Sequence, residues 1–137
     1  MTSGDARHHD WLDALLQRHG GVAGTVHVDD DGDLRLTAAV NIPPHLREIV
    51  SHVPHGKGMA GLAQTERRAV QTCNLQTDVD GPFNPAAREA GGAAAVAIPL
   101  IIDDQVTAVV GLTFAFEGEI GDELLGQLEA GVATLPA

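Results

Sequence analysis

The stretch AAVAIPLIIDDQVTAVVGLTFAF, residues 94–116, decides the fold. Two apolar runs, Ala94 to Ile102 and Gln105 to Phe116, flank a bend at Asp103-Asp104, which is the pattern of an antiparallel hairpin. Period-two alternation sorts the side chains of the second run onto two unequal faces. Val106, Val110, Leu112, Phe114 and Phe116 are expected on one face, with Thr107, Val109, Gly111, Thr113 and Ala115 on the other. The first run repeats the asymmetry, with Ala94, Val96, Ile98 and Leu100 against Ala93, Ala95, Ala97 and Pro99. The bulky face is expected to pack against helices. The small face leaves room, either for a ligand or for a crossover helix lying close to the sheet.

Upstream, Thr25-Val26-His27-Val28 and Leu34-Arg35-Leu36-Thr37 alternate around Asp29-Asp30-Asp31-Gly32-Asp33, and Asp-Gly supports the positive φ angles of a hairpin turn. Before this pair, residues 5–19 carry Trp11, Leu12, Leu15 and Leu16 at helical spacing, stopped by Gly20-Gly21. After it, Pro43-Pro44 predicts a second helix running to about Val53 and closed by Pro54. A glycine-punctuated connection, Gly56 to Gly61, leads into a short helix near Met59 to Thr65, then a strand from Ala69 to Asn74. Residues 75–92 read as irregular, with a helical turn near Ala86 to Glu89. Downstream of the deciding hairpin, an amphipathic helix is expected from about Glu119 to Leu135. No repeat or linker interrupts the chain, so residues 1–137 are expected to form one α+β domain with a mainly antiparallel sheet.

Composition narrows the function. The chain has 137 residues, of which 44% are hydrophobic and 20% charged, the balance of a globular domain. Eight basic against nineteen acidic residues leave a formal charge of −11, which repels phosphate backbones and argues against nucleic acid. No apolar run is long enough to span a bilayer, and the polar N-terminus is no secretory signal, so no membrane partner is expected. The single cysteine, Cys73, has no internal disulfide partner and fits a reducing cytoplasm. Inside an apolar strand it is expected to act as a small buried hydrophobe.

Several motifs invite chemistry and lack its context. Gly56-Lys57-Gly58-Met59-Ala60-Gly61 matches G-x-G-x-x-G, with Asp78 downstream, but a helix ending at Pro54 stands where the dinucleotide fingerprint requires a strand. Sharp turning of a loop is the expected role of these glycines. Asp29 to Asp33 lacks the sixth-position glycine and twelfth-position glutamate of a calcium loop. His45, His52 and His55 lie around the second helix without a cysteine or a convergent fourth ligand, and no metal site is expected. Ser3 and Ser51 are the only serines, and neither stands in G-x-S-x-G. Lys57, Arg67 and Arg68 are expected to be surface charge.

Taken in order, His55 to Ala63, Ala69 to Leu75, Ala94-Val96-Ile98-Pro99-Leu100 and Val109-Val110-Gly111-Leu112 resemble a GAF domain across nearly the whole chain. The resemblance implies a central antiparallel sheet of five to six strands, with the N- and C-terminal helices on one face. It places crossover helices and loops, and a small-molecule pocket, on the other. It also implies a sensory or regulatory module without catalysis or cofactor, signalling to a protein partner. The cyclic-nucleotide signature is unmatched, because no Asn-Lys pair occurs, and Cys73 is followed by Asn74 and not by the histidine of pigment-binding members. The free methionine sulfoxide reductase branch is the enzymatic alternative. Its cysteine at the glycine turn falls on Ala60 here, and Phe83 to Arg88 holds neither Gly-His nor cysteine.

The ligand-binding residues expected are Asn41, Met59, Thr72, Asn74, Asp78 and Thr113, drawn from strand ends, strand parity and the glycine turn. Gly126, Ala130 and Ala133 cluster opposite the apolar stripe of the last helix, Ile120, Leu124, Leu125, Leu128, Val132 and Leu135. A glycine inside a helix asks for a reason. Close approach of a second copy, in a homodimer through the terminal helices, is the expectation, beside a purely structural dimerisation module with a filled pocket.

Overall fold

The computed structural model describes residues 6–42, 44–49, 51–72, 94–115 and 120–136. Helix α1 (Ala6–His19) is followed by the hairpin of β1 (Ala23–Asp30) and β2 (Asp33–Val40). A short helix α2 (Pro44–Ile49), a two-residue strand β3 (His52–Val53) and helix α3 (Gly58–Glu66) lead to β4 (Val70–Thr72). The deciding hairpin is β5 (Ala94–Ile102) and β6 (Gln105–Phe114), and helix α4 (Asp122–Val132) ends the fold. The six strands form one sheet in the order β3-β2-β1-β6-β5-β4, and every neighbouring pair is antiparallel. Among the described residues the sheet holds no parallel β-α-β unit to carry a dinucleotide loop.

Helices α1 and α4 cover one face. Leu12, Leu15 and Leu16 of α1 and Leu128 and Val132 of α4 share a buried core with Val96, Ile98, Val110, Leu112 and Phe114. The helices come close because glycines let them. A β-carbon on Gly24 would stand 3.0 Å from Leu12 Cδ1, and one on Gly131 would stand 2.7 Å from Leu15 Cδ1. Gly126 meets nothing within 4 Å.

The bulge in β2 aims a polar group into the helical layer. Val26 pairs with Ala38 but His27 with Leu36, so Thr37 is the extra residue. Its hydroxyl lies 2.7 Å from Nδ1 of His8, a residue only 4% exposed, whose Nε2 is 2.7 Å from the carbonyl oxygen of Pro136. That carbonyl can only accept, so Nε2 donates to it, and the Thr37 hydroxyl also lies within 3.4 Å of the Val26 carbonyl, to which it donates. Trp11 Nε1 donates to Thr134 Oγ1 at 2.9 Å, and the chain after α4 is thereby held on α1 twice.

Helix α3 lies on the opposite face, over the half of the sheet nearest the hairpin turns. Met59 and Ala63 pack there with Leu34, Val70, Ala97 and Val109. Both turns are tied to it. Gln64 Nε2 donates to Gly32 O at 2.7 Å, and Arg67 donates to the carbonyl and the carboxylate of Asp104, each at 2.7 Å.

Three expectations need correction. The second helix stops at Ile49, because His52 and Val53 pair with Arg35 and Leu34 as an edge strand. Val106 changes face: Leu100 pairs with Ala108 but Ile101 with Val106, so Thr107 is a bulge and Val106 packs with the α3 cluster. The last helix starts at Asp122, and Ile120 reaches the core from outside it. Gln71 holds Ile120 there, accepting from its backbone N–H at 2.9 Å and donating to its carbonyl at 3.4 Å. The expected helical turn at residues 86–89 lies outside the described residues, as does Cys73.

Candidate ligand hollow on the sheet

On the face that carries α3, small residues stand in register; Val70, Ala95 and Ala97 pack in the α3 cluster, and Ala23 and Ala39 in a smaller one with Leu36 and Ile42. One row across four strands runs Thr72, Ala95, Thr113, Ala23. The next runs Val70, Ala97, Gly111, Thr25, Ala39. Thr113 therefore has alanine on both sides and Gly111 two positions along its own strand. Gly111 is the informative residue. It lies in the fourth strand of six, between β1 and β5, yet keeps partial solvent exposure while Ala97, Thr25, Ala95 and Thr113 around it are buried. The helical side of this strand is closed by Val110 and Leu112, which are fully buried, so the access is from the other face.

A second polar group stands beside the glycine. Thr25 Oγ1 is 2.8 Å from where a β-carbon on Gly111 would sit, so the hydroxyl leans over the glycine and occupies the side-chain space it vacates. Thr25 and Thr113 are 4% and 5% exposed, and no hydrogen bond of the described residues engages either hydroxyl. His27, two residues further along β1, faces the same way and is also buried. The alternation Thr25-Val26-His27-Val28 contains this information: with Val26 in the helical core, Thr25 and His27 must face the other way.

The expected site residues fall in different places. Thr113 lies on the floor, and Thr72 holds the register position across Ala95 from it, two strands or roughly 10 Å away. Met59, on α3, is buried in the cluster that holds Ala95 and Ala97. Asn41 is exposed just past the end of β2 with φ +58°, and its Nδ2 donates to the Val22 carbonyl at 2.9 Å. Its amide thus fastens the start of β1. Asn74 and Asp78 lie outside the described residues.

The motifs resolve into structure. Gly56 has φ +81°, and a β-carbon on Gly61 would stand 2.5 Å from the Gly56 carbonyl carbon, so the G-x-G-x-x-G letters let α3 begin against its own approach loop. At the first hairpin, Asp31 and Gly32 have φ +56° and +97°, and Asp29 accepts the Gly32 N–H at 3.2 Å. Asp33 Oδ2 pairs with His52 Nε2 at 3.0 Å and Oδ1 accepts the His55 N–H at 3.0 Å. These contacts, the backbone N–H first, hold the Asp33 carboxyl below its ordinary 3.8. Arg68 pairs with Glu66 on the surface. Among the described residues no three His, Cys, Asp or Glu side chains converge as a metal site, and no helix is long and apolar enough to cross a membrane.

Comparison with known proteins agrees with this architecture. A GAF domain family model matches residues 10–134. The fold is similar to a type II free methionine-R-sulfoxide reductase from Thermoplasma acidophilum, with TM-score 0.75 and 14% identity over 93% of this chain and 84% of that one. It is similar too to the GAF domain of a phosphoenolpyruvate-protein phosphotransferase from Acinetobacter, with TM-score 0.74 and 13% identity over 93% and 76%. A free methionine-R-sulfoxide reductase of Staphylococcus aureus superposes with TM-score 0.66 and 20% identity over 90% and 80%. No curated protein matches the sequence. With its helix-backed antiparallel sheet, its glycine turn before α3 and a family match over nearly all its length, this chain belongs to the GAF domain family.

Proposed function

We propose that this protein is a non-catalytic sensory module that binds a small molecule on the small-residue floor and passes its presence to a protein partner. The observation that carries the reading is the solvent access of Gly111 in the interior of the sheet, beside two buried threonines whose hydroxyls no described residue engages. Interiors are close-packed, so an access point beside buried polar groups supports a binding hollow. The solved structures of similar fold include the GAF domain of a phosphotransferase and a domain of a putative two-component sensor histidine kinase protein, which supports a signalling role. In this reading Thr72 and Thr113 contact the ligand, Asn74 and Asp78 belong to its surroundings, and Asn41 and Met59 hold the rim and the adjoining core. A cytoplasmic location and a homodimer through the terminal helices complete the proposal.

Native mass spectrometry of protein purified from its own organism tests it. A bound small molecule is expected on the wild type and is expected to be lost from Thr113→Leu. A wild-type protein that shows only its own unliganded mass contradicts the reading.

The solved reductases of the same fold support a second reading, reduction of free methionine sulfoxide. In that chemistry a thiolate attacks the sulfoxide sulfur, methionine leaves, and the resulting sulfenic acid is condensed by a second thiol into a disulfide with release of water. Ala60 stands at the cysteine position of the glycine turn, and Cys73 is the only sulfur nucleophile in the chain. An external thiol would have to resolve it. Absence of turnover with free methionine-R-sulfoxide and dithiothreitol closes this reading; turnover abolished by Cys73→Ser establishes it.

A further inference from the structure

We infer that the turn end of the helical face is a docking ledge for a basic amphipathic helix of the protein partner; this names the partner's chemistry in the reading above and rests on it. The helical layer gives out toward the turns. Along β5 the side chains of that face run Val96 and Ile98, both buried, then Leu100, half-buried, then Ile102, 51% exposed. The Thr107 bulge belongs to β6 and leaves this alternation intact. Along β1 the same face runs from Val26, buried, to Val28, half-buried. Val28 pairs with Ala108 and Ala108 with Leu100, so the two half-buried side chains share one register row across three strands. Ile102 stands two residues further out. The apolar core surface thus continues past its own helices, and an apolar stripe of another helix fits it. Ile101, exposed at 40%, pairs with Val106 on the opposite face and is no part of the ledge.

Charge selects the helix. Strands β1 and β6 are neighbours, so both hairpin turns stand at this end of the sheet. Asp30 pairs there with Arg35 and Asp104 with Arg67, while no hydrogen bond or ion pair of the described residues engages Asp31 or Asp103. Two uncompensated carboxylates beside an apolar strip attract lysine or arginine flanking the partner's stripe. A formal charge of −11 repels acidic partners and anionic lipid alike. A second copy presenting the same ledge brings like charges together, which argues against self-pairing here.

Two peptides of about 18 residues test the ledge, with leucines at the same helical positions and either lysine or glutamate elsewhere. Each is titrated into isotope-labelled protein while backbone amide signals are followed by NMR. The lysine peptide is expected to move the signals of Val28, Ile102 and Asp103 together, and the glutamate peptide to leave them unmoved. Ile102→Thr, which keeps strand propensity, is expected to weaken the lysine peptide roughly fivefold or more, and Ile101→Thr less than about twofold. Asp103→Asn, which suits the turn, is expected to weaken it about threefold. Silence with the lysine peptide overturns the inference, as do shifts spread over the whole acidic surface or undiminished by Ile102→Thr. Equal weakening by the two isoleucine variants overturns it too, because the tip then binds as a plug through both faces. Signals of Ile102 that move with protein concentration alone assign the ledge to a second copy. Binding to phosphatidylcholine vesicles that Ile102→Thr abolishes assigns it to a membrane; either result overturns the inference. A small molecule bound in the native mass spectrum of a protein whose ledge stays silent overturns this inference and leaves the sensory reading standing.

Discussion

Gly61 touches the backbone of Gly56: a β-carbon on Gly61 would lie 2.5 Å from the carbonyl carbon of Gly56 and 2.9 Å from its Cα. Neither atom can swing aside as the end of a side chain could. The first and last glycines of a motif that reads like a phosphate loop are thus a packing pair, and α3 is seated by them. Gly61→Ala is expected to destabilise the protein by about 2 kcal/mol, in the range of overpacked cores. Urea denaturation checks it, and a change under about 0.5 kcal/mol would show that the contact is slack.

Gly126 behaves oppositely, since nothing lies within 4 Å of its side-chain position. Within one chain, Gly126→Leu should raise stability by up to about 1 kcal/mol through helix propensity. In the proposed homodimer the same leucine fills the space where the partner helix approaches, so dimer is expected to give way to monomer in sedimentation velocity at micromolar concentration. A wild-type protein that sediments only as monomer, or a variant dimer unchanged from wild type, contradicts this interface.

His8→Ala removes the group that joins Thr37 to Pro136 and leaves both without that partner, next to a void. A loss of about 2–4 kcal/mol is expected, with faster amide exchange in residues 133–136. Trp11→Phe removes one exposed hydrogen bond and should cost less than about 1 kcal/mol. Equal losses would show that burial of the ring, and not the histidine bonds, holds the C-terminal segment.

Much of the fold was legible because it is periodic. The helical spacing of α1, the two hairpins with their turns at Asp31-Gly32 and Asp103-Asp104, and the unequal faces of β5 and β6 all follow from side-chain alternation. What escaped has no local pattern. Strand β3 is two residues long and exists only because Leu34 and Arg35 offer it an edge. The Thr107 bulge is a property of two strands together, so parity counted along β6 alone put Val106 on the wrong face. His8 stands in the polar run Arg7-His8-His9-Asp10, and only the bulge at Thr37 and the position of Pro136 give it two partners. Of the candidate site residues, parity places Thr113 among the small residues of one face, whereas Asn41 was chosen for its strand-end position and proves to hold Val22.

Asp33 carries a pH signature. Its carboxyl is held below the ordinary 3.8 by the His55 N–H and then by His52, so the folded state binds its proton less readily than the unfolded chain. The contribution is fully present above the ordinary value and is lost as pH falls through the lowered folded value. The stability difference between wild type and Asp33→Asn is expected to fade between roughly pH 5 and pH 2. A difference that stays constant across that window would show that the carboxylate charge plays no part at this turn.

Thr113 gives the most direct test of the hollow, and it requires no knowledge of the ligand. With Ala23 and Ala95 beside it and solvent reaching Gly111, a leucine at this position should enter open space. Urea denaturation of Thr113→Leu is expected to give a stability within about 1 kcal/mol of wild type. A loss of about 2 kcal/mol or more, the mark of a leucine forced into filled space, would contradict the existence of the hollow.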